Sequence, residues 1–355
     1  MKKISILFRF VFILFFVIGT ASVFADNSTP SDNGPLQSIL SGLELTGGIS
    51  AGFFYASNPG NDTSDNEFLL SNFLVELSSA DENFPLGFVG AFGETSTPSL
   101  FDTPETNNDF KIEYASLTFN PNTDTSLEVG LLQPNAGYEN TYTFNNINVI
   151  LGALASQQPY NAYGARLGYD VNSISLWAGY YKKRLDEEEY EINGSSPDNT
   201  WEIGLEGSVL DYRFSIYHYH INGLKNLTGA VLERTIKNVY LAFNIDYWNW
   251  DSGMKNIYES KSSIGGAVYL CPQFKHFSIP VRLEYIDQGE SGIYSESLYA
   301  KRIYTATISP TYHFSENAYI RVESAYIAAD KAFADKSGNS KNNRICLAAE
   351  VGYVF

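Results

Sequence analysis

The chain has few cysteines, few methionines and little charge. Its 355 residues include 2 cysteines and 2 methionines, and charged residues make up 18% of the sequence, against about 25% in an average soluble domain. Two cysteines are too few for a disulfide-dense scaffold. Basic residues number 23 against 40 acidic ones, for a net charge of −17. This balance excludes a general nucleic-acid-binding protein, because no basic surface is available for the phosphates.

Apolar and aromatic residues are abundant instead. Hydrophobic residues make up 44% of the chain and aromatic residues 15%, with 25 tyrosines and 24 phenylalanines. This content is too high for a disordered protein. The length alone would allow about two or three soluble domains, although all-β barrels often run longer as single units.

The first 25 residues predict a secretory signal peptide. Lys2 and Lys3 precede an uncharged run at 10–25, which ends in a small residue, Ala25, before Asp26. This order is typical of a signal peptide with its cleavage site, and the run is shorter than the roughly 20 residues of a membrane-spanning helix. We therefore expect cleavage after Ala25, a short periplasmic segment at 26–41 and one large domain at 42–355.

The rest of the chain alternates apolar and polar residues with a period of two, and no other segment resembles a membrane-spanning helix. In 344–355, Ile345, Leu347 and Val351 share one face, because successive side chains of a strand point to opposite sides. The same alternation recurs at 43–55, 69–77, 86–94, 111–119, 127–132, 162–169, 174–181, 201–209, 212–221, 239–247, 264–270, 277–287, 303–314 and 319–327. Such segments, separated by turns, predict an all-β fold, a transmembrane antiparallel β-barrel.

The connections between these segments alternate in length. Short turns at 120–122, 170–173, 210–211 and 315–317 contrast with long polar loops at 58–66, 95–109, 184–199 and 331–343. Short periplasmic turns and longer outer loops are typical of outer-membrane barrels. Aromatic residues also cluster toward strand ends, as at Tyr180 and Tyr181, where their rings suit the membrane interfaces.

The strand count is expected to be about sixteen, with fourteen or twelve as alternatives. Fifteen segments alternate clearly, but a barrel of this kind needs an even number of strands. The directions of 212–221 and 264–270 leave room for two strands between them, and 229–236, turning at Lys237 and Asn238, supplies the missing one. Residues 133–160 either hide another hairpin or pass through the lumen. Sixteen strands enclose an aqueous channel.

Charged residues lie on the strand faces opposite the apolar rows. Near the midplane a charged side chain facing lipid costs about 2–4 kcal/mol, so these residues are expected to face the water-filled lumen. They are Glu44, Glu76, Lys111, Glu113, Glu128, Arg166, Glu202, Glu206, Arg213, Arg282, Glu284, Arg321, Glu323, Arg344 and Glu350. The set is either an electrostatic filter that selects ions or a group of structural ion pairs that stiffens the wall.

The loop at 184–199 is strongly acidic. Asp186, Glu187, Glu188 and Glu189 follow one another in it. A negative mouth concentrates cations by focusing the field of the protein, so this loop favours a cation preference. Alternatively, the acidic residues only keep the outer surface solvated.

No catalytic, cofactor or metal site is predicted. His218 and His220 share one strand face, but with no further His or Cys near them in sequence they are interpreted as part of an interfacial aromatic cluster. None of the four histidines lies in a recognisable hydrolase motif, so we do not expect an enzyme. Cys271 and Cys346 are either paired in a disulfide or two free thiols.

Several motifs resemble those of the OmpL-like β-barrel porin family of Gram-negative outer membranes. They are GLLQP at 130–134, GYE at 137–139, NN at 145–146, QPY at 158–160, GARLGY at 164–169, and the R-x-E strands at 281–285 and 320–323. The end of the chain, with Tyr353 and Phe355, resembles the common insertion signal. The resemblance implies an outer-membrane porin inserted by the barrel assembly machinery through its last strand.

The sequence therefore predicts an outer-membrane porin for passive diffusion of small hydrophilic solutes or ions. It is expected to contact outer-membrane lipid and lipopolysaccharide but no nucleic acid, and homo-oligomerisation is left open. Residues 133–160 are expected to fold inward as a constriction, since they include an apolar stretch at 147–154; the alternative is a capping loop packed on a neighbouring subunit. The alternative function is a plugged, surface-exposed structural or adhesive barrel.

Overall fold

The computed structural model describes residues 43–59, 65–79, 86–101, 110–184, 199–223, 225–250, 262–289, 293–295 and 298–355. The predicted signal peptide (1–25), the segment 26–41 and the acidic residues 186–189 lie outside these ranges. Within the described ranges, no helix has both the length and the apolar character needed to cross a membrane.

Antiparallel strands account for most of the described chain. They are β1 (Leu43–Ala56), β2 (Asn66–Ser79), β3 (Leu86–Thr95), β4 (Lys111–Asn122), β5 (Thr125–Leu132), β6 (Ala162–Val171), β7 (Ile174–Arg184), β8 (Thr200–Val209), β9 (Tyr212–Ile221), β10 (Lys225–Ile236), β11 (Val239–Trp250), β12 (Ser262–Phe274), β13 (Phe277–Ser278), β14 (Val281–Asp287), β15 (Ile293–Ser295), β16 (Leu298–Tyr299), β17 (Arg302–Ile308), β18 (Thr311–His313), β19 (Ala318–Ala334) and β20 (Ser340–Val354). Two 3₁₀ turns, Thr143–Asn145 and Ala155–Gln157, lie between β5 and β6.

The main sheet closes into a barrel with sixteen strand positions among the described residues. β13 and β14 share one position and β17 and β18 another, because Pro280 and Pro310 interrupt each strand and proline has no N–H for the ladder. The Ser309 N–H donates to the Pro280 carbonyl at 2.9 Å, so the two interrupted strands stay joined. β15 and β16 form a separate small hairpin.

The first and last strands close the barrel. β1 pairs with β20 from Gly48 opposite Val354 to Ala56 opposite Cys346. Beyond this ladder, Gly47 and Phe355 exchange two backbone hydrogen bonds of 2.9 Å. The prediction of sixteen strands is confirmed, including the strand inferred from parity, which is β10. The role of Tyr353 and Phe355 in insertion stays a prediction; both side chains are exposed on the outer face.

Side chains alternate between the two faces of the wall. On β14, Leu283 is 52% exposed and Tyr285 39%, whereas Arg282 and Glu284, which alternate with them, are buried. The exposed rows are apolar because they face lipid. The polar rows point into the lumen, where they contact other parts of the chain.

Two predicted connections differ from the structure. The predicted turn at 120–122 is wrong, because β4 continues to Asn122 and the chain turns at Thr123 and Asp124. The predicted long loop at 331–343 is also wrong in extent, because Phe333 pairs with Lys341 and Ala334 with Ser340. Only residues 335–339 connect β19 to β20. Outside the membrane, polar residues can extend the hydrogen-bonded ladder just as apolar residues do.

Glycines on the inner face make room for aromatic rings of the neighbouring strand. Gly204 on β8 lies opposite Trp177 on β7. A Cβ atom added at Gly204 would overlap the Trp177 indole and lie 2.9 Å from the Ile216 carbonyl oxygen. Gly352 accommodates Tyr319 in the same way, so these glycines let large rings lie flat against the wall.

We predict that Gly204→Ala destabilises the barrel by about 1–3 kcal/mol, because the indole and the ladder must shift around the new methyl group. Gly90→Ala is the matched control, since a Cβ there meets nothing within 4 Å, and its effect should stay within about 0.5 kcal/mol. Unfolding in detergent, followed by circular dichroism and by the heat-dependent gel mobility of the barrel, measures both. Equal destabilisation of the two variants would contradict this account.

Candidate functional site

A long segment between β5 and β6 folds into the barrel, as predicted for 133–160. We call residues 133–161 the long insert. Its residues Val149, Ile150, Ala153 and Leu154 are buried in the main apolar cluster together with inward-facing wall residues. The apolar stretch therefore packs inside the barrel, not against lipid.

Glutamates of the wall accept hydrogen bonds from the backbone of the long insert. Glu323 on β19 accepts from the N–H groups of Val149 at 2.6 Å and Ile150 at 3.1 Å. Glu284 on β14 accepts from those of Ala153 at 3.1 Å and Leu154 at 3.0 Å. These side chains replace the partners that an irregular backbone loses when it leaves water.

Arginines of the same wall bind the carbonyl groups of the long insert. Arg282 donates to the Ile150 carbonyl at 2.8 Å and also pairs with Glu139 of the insert at 2.6 Å. Arg321 donates to the Asn146 and Thr143 carbonyls at 2.8 and 2.6 Å.

Each arginine also pairs with a carboxylate of the wall. Arg282 lies 3.3 Å from Glu284, and Arg321 lies 2.7 Å from Glu350. Glu350 in turn accepts from the Thr143 hydroxyl at 2.6 Å. The buried charges are thus compensated within one network that joins wall and insert.

A second segment, residues 96–101, also enters the lumen and is called the short insert. It runs beside the long insert, with Leu151 donating to the Pro98 carbonyl at 2.8 Å and Leu100 donating to the Leu151 carbonyl at 3.3 Å. Arg344 on β20 donates to the Phe101 carbonyl at 2.5 Å. The two inserts therefore form one layer inside the barrel.

On the opposite side of the barrel, Arg166 on β6 organises a further cluster. It donates to Glu202 at 2.7 Å and to Glu128 at 3.1 Å, and it bonds the Gln133 carbonyl at the start of the long insert. The Tyr181 hydroxyl accepts from the same guanidinium at 3.1 Å. The start of the insert is therefore fixed to β5, β6, β7 and β8.

The end of the long insert is held by amide and carboxylate groups. Gln158 donates to Asp246 at 2.8 Å and to Asn244 at 3.1 Å, both on β11. Tyr217 on β9 donates to the same Asp246 at 2.5 Å. Lys225 on β10 donates to the Gln157 carbonyl at 3.0 Å.

The sequence-predicted lumen residues thus fall into three groups. Arg282, Glu284, Arg321, Glu323, Arg344 and Glu350 contact the inserts, and Arg166, Glu128 and Glu202 form the second cluster. Of the other predicted residues, Glu113 is buried and its side chain accepts from Thr95 at 3.0 Å, Glu76 accepts from Tyr114, and Lys111, Glu44, Glu206 and Arg213 are exposed. Their part in a conducting path stays a prediction.

Sequence reasoning missed two acidic residues of this network. Asp246 faces inward between Ile245 and Tyr247, so the alternation of β11 could have identified it. Glu139 lies outside any strand and carries no periodic signal. Burial raises the pKa of Glu139, while the Arg282 guanidinium acts in the opposite direction.

The described residues include no complete hydrolase site. Oγ of Ser278 lies 3.4 Å from Nε2 of His313. A general-base histidine requires a carboxylate partner, and in the described part of the chain no carboxylate is hydrogen-bonded to this imidazole. Cys271 and Cys346 are both free thiols, so the disulfide considered from the sequence is not formed.

We predict that Arg282→Met releases the long insert without unfolding the barrel. The change leaves Glu139 and Glu284 buried without their cation, which costs about 3–5 kcal/mol, whereas the strand ladder does not depend on this side chain. Hydrogen–deuterium exchange of the 149–154 amides should rise strongly. Arg213→Met, at an exposed inner position, is the matched control and should leave the exchange of the 149–154 amides unchanged. Fast exchange of these amides in the Arg213→Met variant as well would contradict the role of Arg282 in holding the long insert.

The fold resembles that of solved outer-membrane proteins. OmpT of Vibrio cholerae superposes with a TM-score of 0.58 at 9% identity, covering 88% of this chain and 97% of that one. The outer membrane channel DcaP of Acinetobacter baumannii gives 0.56 at 14%, covering 88% and 97%. OccK1 of Pseudomonas aeruginosa gives 0.54 at 10%, covering 89% and 99%. At such identities the likeness shows the fold alone.

Sequence comparison adds the family. No curated protein sequence matches the chain. The family model described as "Putative beta-barrel porin-2, OmpL-like" matches residues 42–355. This match covers the entire barrel, and the chain therefore belongs to the OmpL-like β-barrel porin family of the bacterial outer membrane.

Proposed function

We propose that this barrel lets small hydrophilic solutes and ions diffuse passively across the outer membrane, with a preference for cations. The observation that carries the proposal is the charged inner face that stays exposed on the periplasmic side of the inserts. Glu206 and Arg213 are exposed there, and the Glu128 side chain is 31% exposed. A sixteen-stranded barrel is wide enough for an aqueous channel, and exposed charges on its inner face suit water.

The two inserts are the constriction in this proposal. They cross the lumen in one layer and bond to strands on opposite sides, from Arg166 on β6 to Arg321 on β19. Buried ion pairs fix this layer in place. The opening that it leaves in the lumen therefore has a constant width, and this width limits the size of the solutes that pass.

The cation preference follows from the balance of accessible charge. Arg282 and Arg321, which face the long insert, are buried and paired with carboxylates, so they contribute little net field. Glu44 and Glu206 are exposed and Glu233 is half-buried on the inner face, with Lys111 and Arg213 as the exposed cations among these residues. Carboxylates in a water-filled channel with low-dielectric walls raise the local cation concentration. The acidic outer loop, outside the described residues, acts in the same direction.

A plugged structural barrel is the second candidate. The feature that favours it is the burial of the inserts, since Val149, Ala153 and Leu154 have no exposed surface. The two functions differ in whether a path remains beside this layer.

Removal of the long insert separates the two candidates. Leu132 and Ala162 are direct partners in the β5–β6 ladder, so a short Gly-Ser linker can replace 133–161 and leave the strand ladder continuous. We predict steady single-channel currents in planar bilayers for the intact barrel and larger currents for the deletion variant. A silent intact barrel with a conducting variant would show that the long insert is a plug, and silence of both folded proteins would contradict any pore function.

We predict that Glu44→Gln, Glu206→Gln and Glu233→Gln together reduce the cation preference. Fewer carboxylates weaken the field inside the channel, so the reversal potential under a KCl gradient should move toward zero. Replacing Asp186, Glu187, Glu188 and Glu189 with neutral residues tests the contribution of the acidic loop to the cation preference. The same reversal potential is measured.

Asp287→Asn is the matched control for both sets, since Asp287 lies on the outer face 3.6 Å from Arg302. It should leave the reversal potential unchanged. An unchanged potential in both neutralised sets would contradict the cation preference while leaving diffusion itself intact.

A further inference from the structure

Two histidines face outward near the outer end of β9. The outward row of this strand begins with apolar residues, including Phe214 and Ile216, and continues with His218 and His220. Both histidines are half-buried. The row therefore changes from lipid-compatible to polar at the level where the strand leaves the membrane, so the imidazoles lie within reach of aqueous cations.

Both imidazoles are bonded to the neighbouring strand through one ring nitrogen. Nδ1 of His220 lies 2.7 Å from Oδ1 of Asn226, and Nδ1 of His218 lies 2.8 Å from the Thr228 hydroxyl, both on β10. A carboxamide oxygen accepts only, so Nδ1 of His220 donates and its Nε2 carries the lone pair. The Thr228 hydroxyl can accept from His218 in the same way.

The other side of the pair is covered by one indole. The Trp201 ring on β8 lies 5.3 Å from the His218 ring and 5.4 Å from the His220 ring, measured between centroids. The rings are thus held between β8 and β10. Neither Nε2 has a hydrogen-bond partner among the described residues.

This arrangement has the features of a metal chelate. Residues i and i+2 of a strand lie on one face about 6.5–7 Å apart, close enough for two imidazoles to share one ion. A ligating histidine usually donates its other ring N–H to an oxygen that fixes its orientation. Asn226 provides this oxygen for His220.

We propose that His218 and His220 bind one divalent transition-metal ion of the Cu²⁺, Ni²⁺ and Zn²⁺ class through their Nε2 atoms. These ions prefer imidazole nitrogen, and Cu²⁺ binds most tightly. Within the described part of the chain, His, Cys, Asp and Glu form no group of three or more that could hold a metal, so water completes the coordination. The site lies on the outer face of the wall and is independent of the proposed diffusion path.

A Cu²⁺ titration of the folded full-length chain in detergent tests the proposal. Because Trp201 touches both rings, bound Cu²⁺ should quench tryptophan fluorescence until one ion is bound per chain, and EDTA should reverse the quenching. Electron paramagnetic resonance of the loaded protein should show coupling to two imidazole nitrogens. Protons compete for the same lone pairs, so binding should weaken as the pH falls.

The His218→Asn and His220→Asn variants should each lose affinity and leave a single nitrogen coupling. His276→Asn and His313→Asn, at the other end of the barrel, are the matched controls and should behave as the unmodified chain. Heat-dependent gel mobility confirms that every variant is folded. The proposal would be overturned by unchanged stoichiometric quenching in a variant that carries both His218→Asn and His220→Asn. It would also be overturned if the unmodified protein showed no saturable quenching.

Asn226→Ala tests the positioning of the ligands. It removes the oxygen that orients His220 but no metal ligand, and loss of such a partner typically weakens metal binding roughly 10- to 100-fold. The two-nitrogen coupling should persist at saturating Cu²⁺. Unchanged affinity in this variant would show that the Asn226 contact only packs the surface.

Discussion

Backbone hydrogen bonding in lipid is the constraint on which this structure depends. A strand that crosses the hydrocarbon layer finds no water for its N–H and C=O groups, so the sheet must close on itself. Here closure is made by β1 and β20 and extends to Gly47 and Phe355. Even the breaks at Pro280 and Pro310 keep their neighbours bonded, since Ser309 and Val322 donate to the two proline carbonyls.

The same constraint explains the charges on the inner wall. An irregular segment that enters a barrel brings unpaired amides and carbonyls with it, and these need partners once water is displaced. Glu323 and Glu284 supply acceptors, and Arg282 and Arg321 supply donors. The wall charges would in turn be costly if they were buried alone. Insert and wall therefore stabilise each other, and the R-x-E strands belong to an internal scaffold.

Much of the barrel could be predicted from the sequence. Alternation located the strands because lipid on one side and a polar lumen on the other leave a period-two pattern, and the even strand number revealed β10 although its alternation is weak. The pattern failed where lipid no longer acts: β19 extends to Ala334 and β4 to Asn122, in segments whose residues do not alternate between apolar and polar. Of the network residues, Asp246 can be identified from the alternation of β11, whereas Glu139 lies outside any strand and has no periodic signal.

The sequence by itself determined which side of the wall each strand residue faces, because alternation is a local property of the pleat. It could not determine whether an inward charge meets water or protein. That was decided by the tertiary structure, since Glu323 finds its partner Val149 174 positions away and Glu284 finds Ala153 131 positions away. The path of the inserts through the lumen brings these groups together, and no local pattern encodes that path.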